Sequence, residues 1–235
     1  MKLKQFIYKT PFFYWIYKLQ KLYKNKKPNF HFSEFGEDII INRFFKNINS
    51  GFYIDIGAYH PFKGSLTYLL YKKGWSGLNI DISKASIDLF NIARKKDINI
   101  NCAVSNVDEE TFYYSNSLIN QQNSLIQRGE NQKKIPIKSF KLETILKTHK
   151  IENFEYLNID TEGNEAEIIR SIDFQKYKPI LVTVEINNFF SNKSNKDEII
   201  KYFSLNSYEL FNIIGVTYIF INKDHIDKVF EYISI

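Results

Sequence analysis

Apolar positions along this 235-residue chain switch between two periods. Short runs rich in Ile, Val, Tyr and Phe at 51–56, 77–81, 98–104, 154–160 and 180–186 read as buried parallel strands. Helical patterns lie between them, at about 65–73, 84–95, 142–149 and 163–172. Alternation of this kind predicts an α/β fold with an open, doubly wound sheet. The end of the chain departs from it. Tyr208–Ile214 and Val216–Asn222 read as two strands joined at Gly215, a tight antiparallel hairpin. Residues 107–134 break the alternation. They are polar, contain Asn-Gln-Gln-Asn-Ser, and are expected to form a loop over the site or an inserted flap. No internal repeat or second domain is evident.

Composition narrows the class only a little. A chain of 27.9 kDa suits one domain with a sizeable core. The net charge of +6 is carried by scattered Lys and Arg, with a concentration in the first 27 residues. Scattered lysines usually form a solvated face. The single cysteine, Cys102, can form no internal disulfide, which points to a reduced, cytoplasmic setting. No apolar run reaches transmembrane length. Residues 1–32 read as a basic, aromatic helical segment preceding a domain of residues 33–235. It lacks the cleavage site and long apolar core of a signal peptide. A helix packed across the domain or on a second subunit is the preferred reading. An interfacial helix on anionic lipid is the alternative, giving peripheral membrane contact through residues 1–27.

The chemistry lies where strands end. Gly51-Phe-Tyr-Ile-Asp-Ile-Gly-Ala-Tyr-His-Pro61 closes the first strand on Asp55, then offers the small residues Gly57 and Ala58. A dinucleotide pyrophosphate needs bare N–H groups there, and an acid would repel it. S-adenosylmethionine (SAM) has no phosphate and carries an ammonium and a sulfonium, so Asp55 suits SAM. Asp81 ends the second strand, where a carboxylate accepts both ribose hydroxyls. Ile82 is placed on the adenine face, and Ala103 and Val104 along its edge. Asp160 ends the fourth strand, near the sulfonium and the acceptor. Any one acid here could simply cap the next helix. Four such strand ends in order, three of them closing on an acid, point to a ligand site. A parallel sheet closed by an antiparallel hairpin is the Rossmann-like, seven-stranded sheet of class I SAM-dependent methyltransferases.

Glu34-Phe-Gly-Glu-Asp38, the GFYIDIGAYHPFKGSLTYLLYKKGWSGLNID block, NCAVSN and LNIDTEGNEAEII together resemble the FkbM-type methyltransferases. The resemblance runs from about Ser33 to Glu185. It implies SAM as methyl donor and O-methylation of a sugar or polyketide hydroxyl, with Glu37 among the cofactor-binding positions. Glu34 departs from the glutamine that the family more often shows.

Removing the hydroxyl proton needs a base or a metal, and the acidic cluster where strands four and five end is expected to matter more than His60, a divalent ion explaining it more fully than a lone base. His60, in the first loop, is the candidate base; a structural hydrogen bond ahead of Pro61 is its other reading. Asp160 and Glu162 are further candidate catalytic residues. Asp160, Glu185 and Asn187, with Glu162 beside them, form an oxygen-rich set suited to Mg²⁺ or Mn²⁺. Glu165 reads as a helix-capping carboxylate. The expected acceptor is a hydroxyl of a sugar, nucleotide-linked sugar or glycan intermediate, as in polysaccharide biosynthesis, and no nucleic-acid partner is expected. Two rivals stand beside this reading. A nucleic-acid methyltransferase is disfavoured because no Asn-Pro-Pro-Tyr or Asp-Pro-Pro-Tyr tetrad occurs. A non-catalytic SAM-binding, membrane-peripheral protein would need little more than the N-terminal helix.

Overall fold

A computed structural model describes residues 10–23, 31–117, 123–186 and 193–226. Its centre is a seven-stranded sheet. Strands β1 (Phe52–Ile56), β2 (Ser76–Asp81), β3 (Ile98–Asn101), β7 (Tyr156–Ile159) and β8 (Leu181–Glu185) are parallel. They lie in the order β3-β2-β1-β7-β8, and the sheet ends on β10 (Thr217–Asn222) and β9 (Tyr208–Ile214). β10 runs antiparallel to both its neighbours. The expected hairpin turns on Gly215 and Val216, with Gly215 at φ +58.

Alternate residues of each central strand go to opposite faces, and both faces are covered. Ile54, Ile56, Leu78, Ile80, Leu157, Ile159, Val182 and Val184 share one cluster. It includes residues of α5 (Leu142–Thr148), α6 (Glu165–Arg170), α7 (Phe174–Tyr177) and α8 (Lys193–Leu205). Tyr53, Tyr156, Leu181, Ile219 and Ile221 share the other. There they meet α2 (Glu37–Phe44), α3 (Tyr68–Lys73) and the buried Trp75. Burial on both sides explains why the strands read as near-continuous apolar runs. Two further helices flank the sheet: α4 (Lys84–Ala93), capped by the Ser83 hydroxyl, and α1 (Pro11–Tyr23) against it.

Two expectations need correction. The run 98–104 is not one strand. It breaks at Cys102, and β4 (Ala103–Val104) leaves the main sheet for a second sheet of order β4-β6-β5. Residues 107–134 are not simply a loop either. They hold β5 (Glu109–Ser115) and the start of β6 (Lys133–Phe140), which pair antiparallel. Pro136 hid β6, because proline donates nothing to a ladder. It is tolerated because β4 pairs only with Ser139 and Phe140, leaving one side of β6 open at Pro136.

Candidate functional site

The sheet reverses its strand order between β1 and β7, and ligands of open α/β sheets bind outside the carboxyl ends of the strands at such a point. A buried polar ladder crosses it. Asp55, Asn158 and Thr183 stand side by side in register on β1, β7 and β8. Asn158 Nδ2 donates to Asp55 Oδ1 at 2.9 Å, and Thr183 Oγ1 donates to Asn158 Oδ1 at 2.7 Å. The other Asp55 oxygen accepts from Thr67 Oγ1 at 2.7 Å. Burial raises the Asp55 pKa, opposed by these two hydrogen bonds and by Arg94.

Arg94 was invisible in the sequence and organises this end of the molecule. It is fully buried, donates to the Pro61 carbonyl and the Ser65 hydroxyl, and reaches Thr67 Oγ1 at 2.7 Å. The guanidinium thereby ties the loop after β1 to the fold and offsets the Asp55 charge through Thr67.

Asp55, Gly57, Ala58, Asp81, Ile82, Ala103, Val104 and Asp160 line one cleft. Gly57 has φ +83, and a Cβ there would overlap the carbonyl oxygen of Asp160. Asp81 accepts the Ser83 N–H at 2.7 Å on one oxygen and the Tyr59 N–H at 2.8 Å on the other. Each oxygen keeps acceptor capacity towards the cleft. Tyr59 adopts φ 53 to make its bond. Burial pushes the Asp81 carboxyl up to about 6, against the pull of the two N–H groups.

Asn123 also lines this cleft. Its side chain is buried, and among the described residues neither its amide nitrogen nor its oxygen has a hydrogen-bond partner. A buried, unsatisfied carboxamide facing a cleft is costly unless a ligand completes it. The Asn-Gln-Gln-Asn-Ser composition marked the segment and gave no reason to choose this residue.

A second cleft adjoins the first. It is lined by Glu34, Glu37, Glu185 and Thr217, and both clefts share Gly64, Leu66, Asn158 and Asp160 as walls. Glu37 therefore sits in the second cleft, where its carboxylate accepts the Phe35 N–H at 2.9 Å and contacts the Thr217 hydroxyl at 3.2 Å. Asp160, Glu162 and Glu185 each present a carboxylate oxygen, all within 4.8 Å of one another. Burial first, then the neighbouring acids, raises Asp160 well above the usual carboxylate range. The same causes push Glu185 up to about 7, and Asp160 and Glu185 hydrogen-bond each other. A hydrogen bond between two carboxyl groups requires one proton held by the pair.

Glu162 is different. Its carboxylate meets Arg128 Nη1 at 2.7 Å, and its carbonyl accepts from Arg128 and from the Ser124 hydroxyl. Arg128 and Ser124 come from the inserted segment, so that segment is latched onto the loop after β7. Of the proposed metal-ligand set, Asn187 lies outside the described residues. Glu165 folds back onto its own loop, accepting the Thr161 and Gly163 N–H groups, the capping geometry expected of it.

His60 requires a correction. The imidazole is buried and does not line either cleft. Its Nδ1 accepts the N–H groups of Phe62 and Lys63, each at 3.1 Å, so Nε2 carries the proton and donates to the Lys21 carbonyl at 3.3 Å. Burial holds its pKa down to about 4. A neutral ring with both nitrogens engaged fixes the loop to α1 and takes no proton from a ligand.

The model of the methyltransferase FkbM domain matches residues 55–210. Among solved structures, the chain is similar to a candidate S-adenosyl-L-methionine-dependent methyltransferase of Methanococcus maripaludis. They share 17% identity over 80% of this chain and 83% of that one, with a TM-score of 0.36. No curated protein matches the chain. The family match starts at Asp55 and takes in Asp81, Asn123, Asp160 and Glu185, and by it the chain belongs to the FkbM methyltransferase family.

Proposed function

We propose that this protein is a SAM-dependent O-methyltransferase whose acceptor is a sugar, nucleotide-linked sugar or glycan hydroxyl. The observation that carries the reading is the shared wall. Two clefts meet at Asp160, one furnished for a nucleoside and the other holding a carboxyl–carboxylate pair.

The first cleft fits SAM by its own chemistry. Asp81 would accept the ribose hydroxyls on its two part-used oxygens. Gly57 lets the loop backbone close against Asp160, and the unpartnered Asn123 amide offers a donor and an acceptor to a polar ligand edge. Bound SAM supplies an activated methyl group on a cationic sulfur. The second cleft supplies the proton acceptor. Glu185, pushed up to about 7, would take the proton of the acceptor hydroxyl. Asp160 holds the Glu185 carboxylate by its shared hydrogen bond. The latched segment packs over Gly163 and Glu162 beside the cleft, where it would help to exclude water.

A base accounts for the acidic cluster more fully than a divalent ion. Arg128 already balances Glu162, the third acid of the set. Labelled-methyl transfer from SAM to nucleotide sugars and extracted glycans, with and without EDTA, tests the whole reading. Transfer unaffected by EDTA is expected. Loss on chelation with recovery in Mg²⁺ would return the metal, and no transfer to any hydroxyl acceptor would remove the acceptor class.

A further inference from the structure

Helix α1 has two stripes that face different surroundings. Tyr14, Lys18 and Leu22 lie against the domain: Tyr14 Oη reaches Asp88 Oδ2 at 3.5 Å, Lys18 Nζ lies 3.8 Å from the same atom, and Leu22 is fully buried with Phe62 and Leu89. A second stripe, Phe12, Trp15 and Ile16, follows the i, i+3, i+4 spacing of one helical face. These side chains are 62%, 52% and 41% exposed. Large aromatics at such exposure, adjacent on a helix, are an apolar surface looking for cover.

Charge says what covers it. The first 27 residues hold eight lysines and neither Asp nor Glu, whereas the remaining 208 residues hold 24 Lys and Arg against 26 Asp and Glu. The entire positive excess of the chain therefore belongs to the segment that carries the exposed stripe, and the rest of the protein is slightly acidic. A second copy seated on the stripe would set two such lysine-rich segments against each other. Stacking on nucleic-acid bases would use the aromatics and leave Ile16 without a role. An anionic lipid surface satisfies both features, since Phe, Trp and Ile enter the headgroup boundary while lysines meet the lipid charge.

We propose that α1 is a docking surface for anionic membranes, seated through Phe12, Trp15 and Ile16 and flanked by lysine. The helix is rigidly joined to the catalytic domain through Leu22 and through the Lys21 carbonyl held by His60, so docking positions the clefts relative to the bilayer. The preferred sequence reading, a helix packed on the domain, describes one stripe of α1 and leaves the other uncovered.

The test uses the full chain with vesicles of phosphatidylcholine, alone or with about a third phosphatidylglycerol. Trp15 reports insertion directly, because the only other tryptophan, Trp75, is fully buried. The expected result is co-sedimentation with anionic vesicles and a blue shift of tryptophan emission. Binding should fall at least about tenfold on neutral vesicles. It should fall further in the Phe12→Ser/Trp15→Ser/Ile16→Ser variant, whose fold and SAM binding remain intact. Unshifted emission, or equal vesicle binding by that variant, would overturn the proposal. Self-association in vesicle-free buffer that the variant abolishes would assign the stripe to a second copy. RNA binding abolished by the variant would assign it to nucleic acid.

Discussion

The two clefts that meet at Asp160 treat their carboxylates in opposite ways. In the first, Asp55 and Asp81 are buried and each is answered: Asp55 by Asn158, Thr67 and Arg94, Asp81 by two backbone N–H groups. In the second, Asp160 and Glu185 face each other with further acids nearby, and every neighbouring charge adds to the cost of burial. Satisfied carboxylates are fixed acceptors, good for holding hydroxyls in place. Glu185, crowded by further acids, is pushed up to about 7, which suits moving a proton.

The contrast breaks first at Glu185. Glu185→Gln keeps the side-chain shape and removes the base, so kcat should fall by about 10²–10⁴-fold. SAM binding, measured by calorimetry, should be little changed. A variant that retains most of its rate would deny the second cleft its role. On the other side, Asp81→Ala removes two acceptor positions without touching the acid pair. Hydrogen bonds to a charged group are worth about 1.5–3 kcal/mol each, so affinity for S-adenosylhomocysteine should fall at least about a hundredfold. Unchanged affinity would sink the cofactor placement.

A smaller effect is expected where the clefts are joined from above. Arg128→Met unlatches the inserted segment from Glu162. The KM for acceptor should rise about tenfold with a smaller change in kcat, because positioning is lost and the base is kept. Steady-state kinetics at saturating SAM would show this, and an equal fall in kcat alone would place Arg128 in the chemical step instead.

Legibility in the sequence follows the same divide. The five parallel strands, the hairpin at Gly215 and the acids ending β1, β2 and β7 could be read because burial on two faces leaves unbroken apolar runs, and an acid at the end of such a run stands out. The second cleft needed contacts made at a distance. Arg128 meets Glu162 across 34 residues of sequence, Thr217 meets Glu37 across 180, and neither partner is unusual on its own. Arg94 was hidden for the same reason, since a lone arginine after a helix reads as surface. Residues of β5 and β6 were missed because this small sheet is largely exposed, alternating weakly and carrying Pro136. His60 misled in the other direction. Its type and its loop suggested a base, and only the orientation of its ring, towards α1, decides otherwise.

The smallest expected effect separates His60 from Glu185 by sign. His60 is held neutral down to about pH 4, whereas in the unfolded chain it takes up a proton near 6.5. The unfolded state therefore binds more protons in that window, and His60 costs stability as pH falls from about 6.5 towards 4. Glu185 does the reverse. Its folded value of about 7 exceeds the ordinary glutamate value of 4.5, so the folded state holds the extra proton and stability is lost as pH rises through that interval. Thermal melts of His60→Asn should accordingly lose less stability than wild type on acidification. Melts of Glu185→Gln should gain about 2–4 °C over wild type at pH 8, with the gain vanishing near pH 4. Methyl transfer by His60→Asn should stay within a few-fold of wild type, because Asn retains an acceptor for the Phe62 and Lys63 N–H groups. A folded, SAM-binding His60→Asn protein without activity would put the base back in the first loop. The acid pair would then be only a stability cost, and the division between the two clefts would fail.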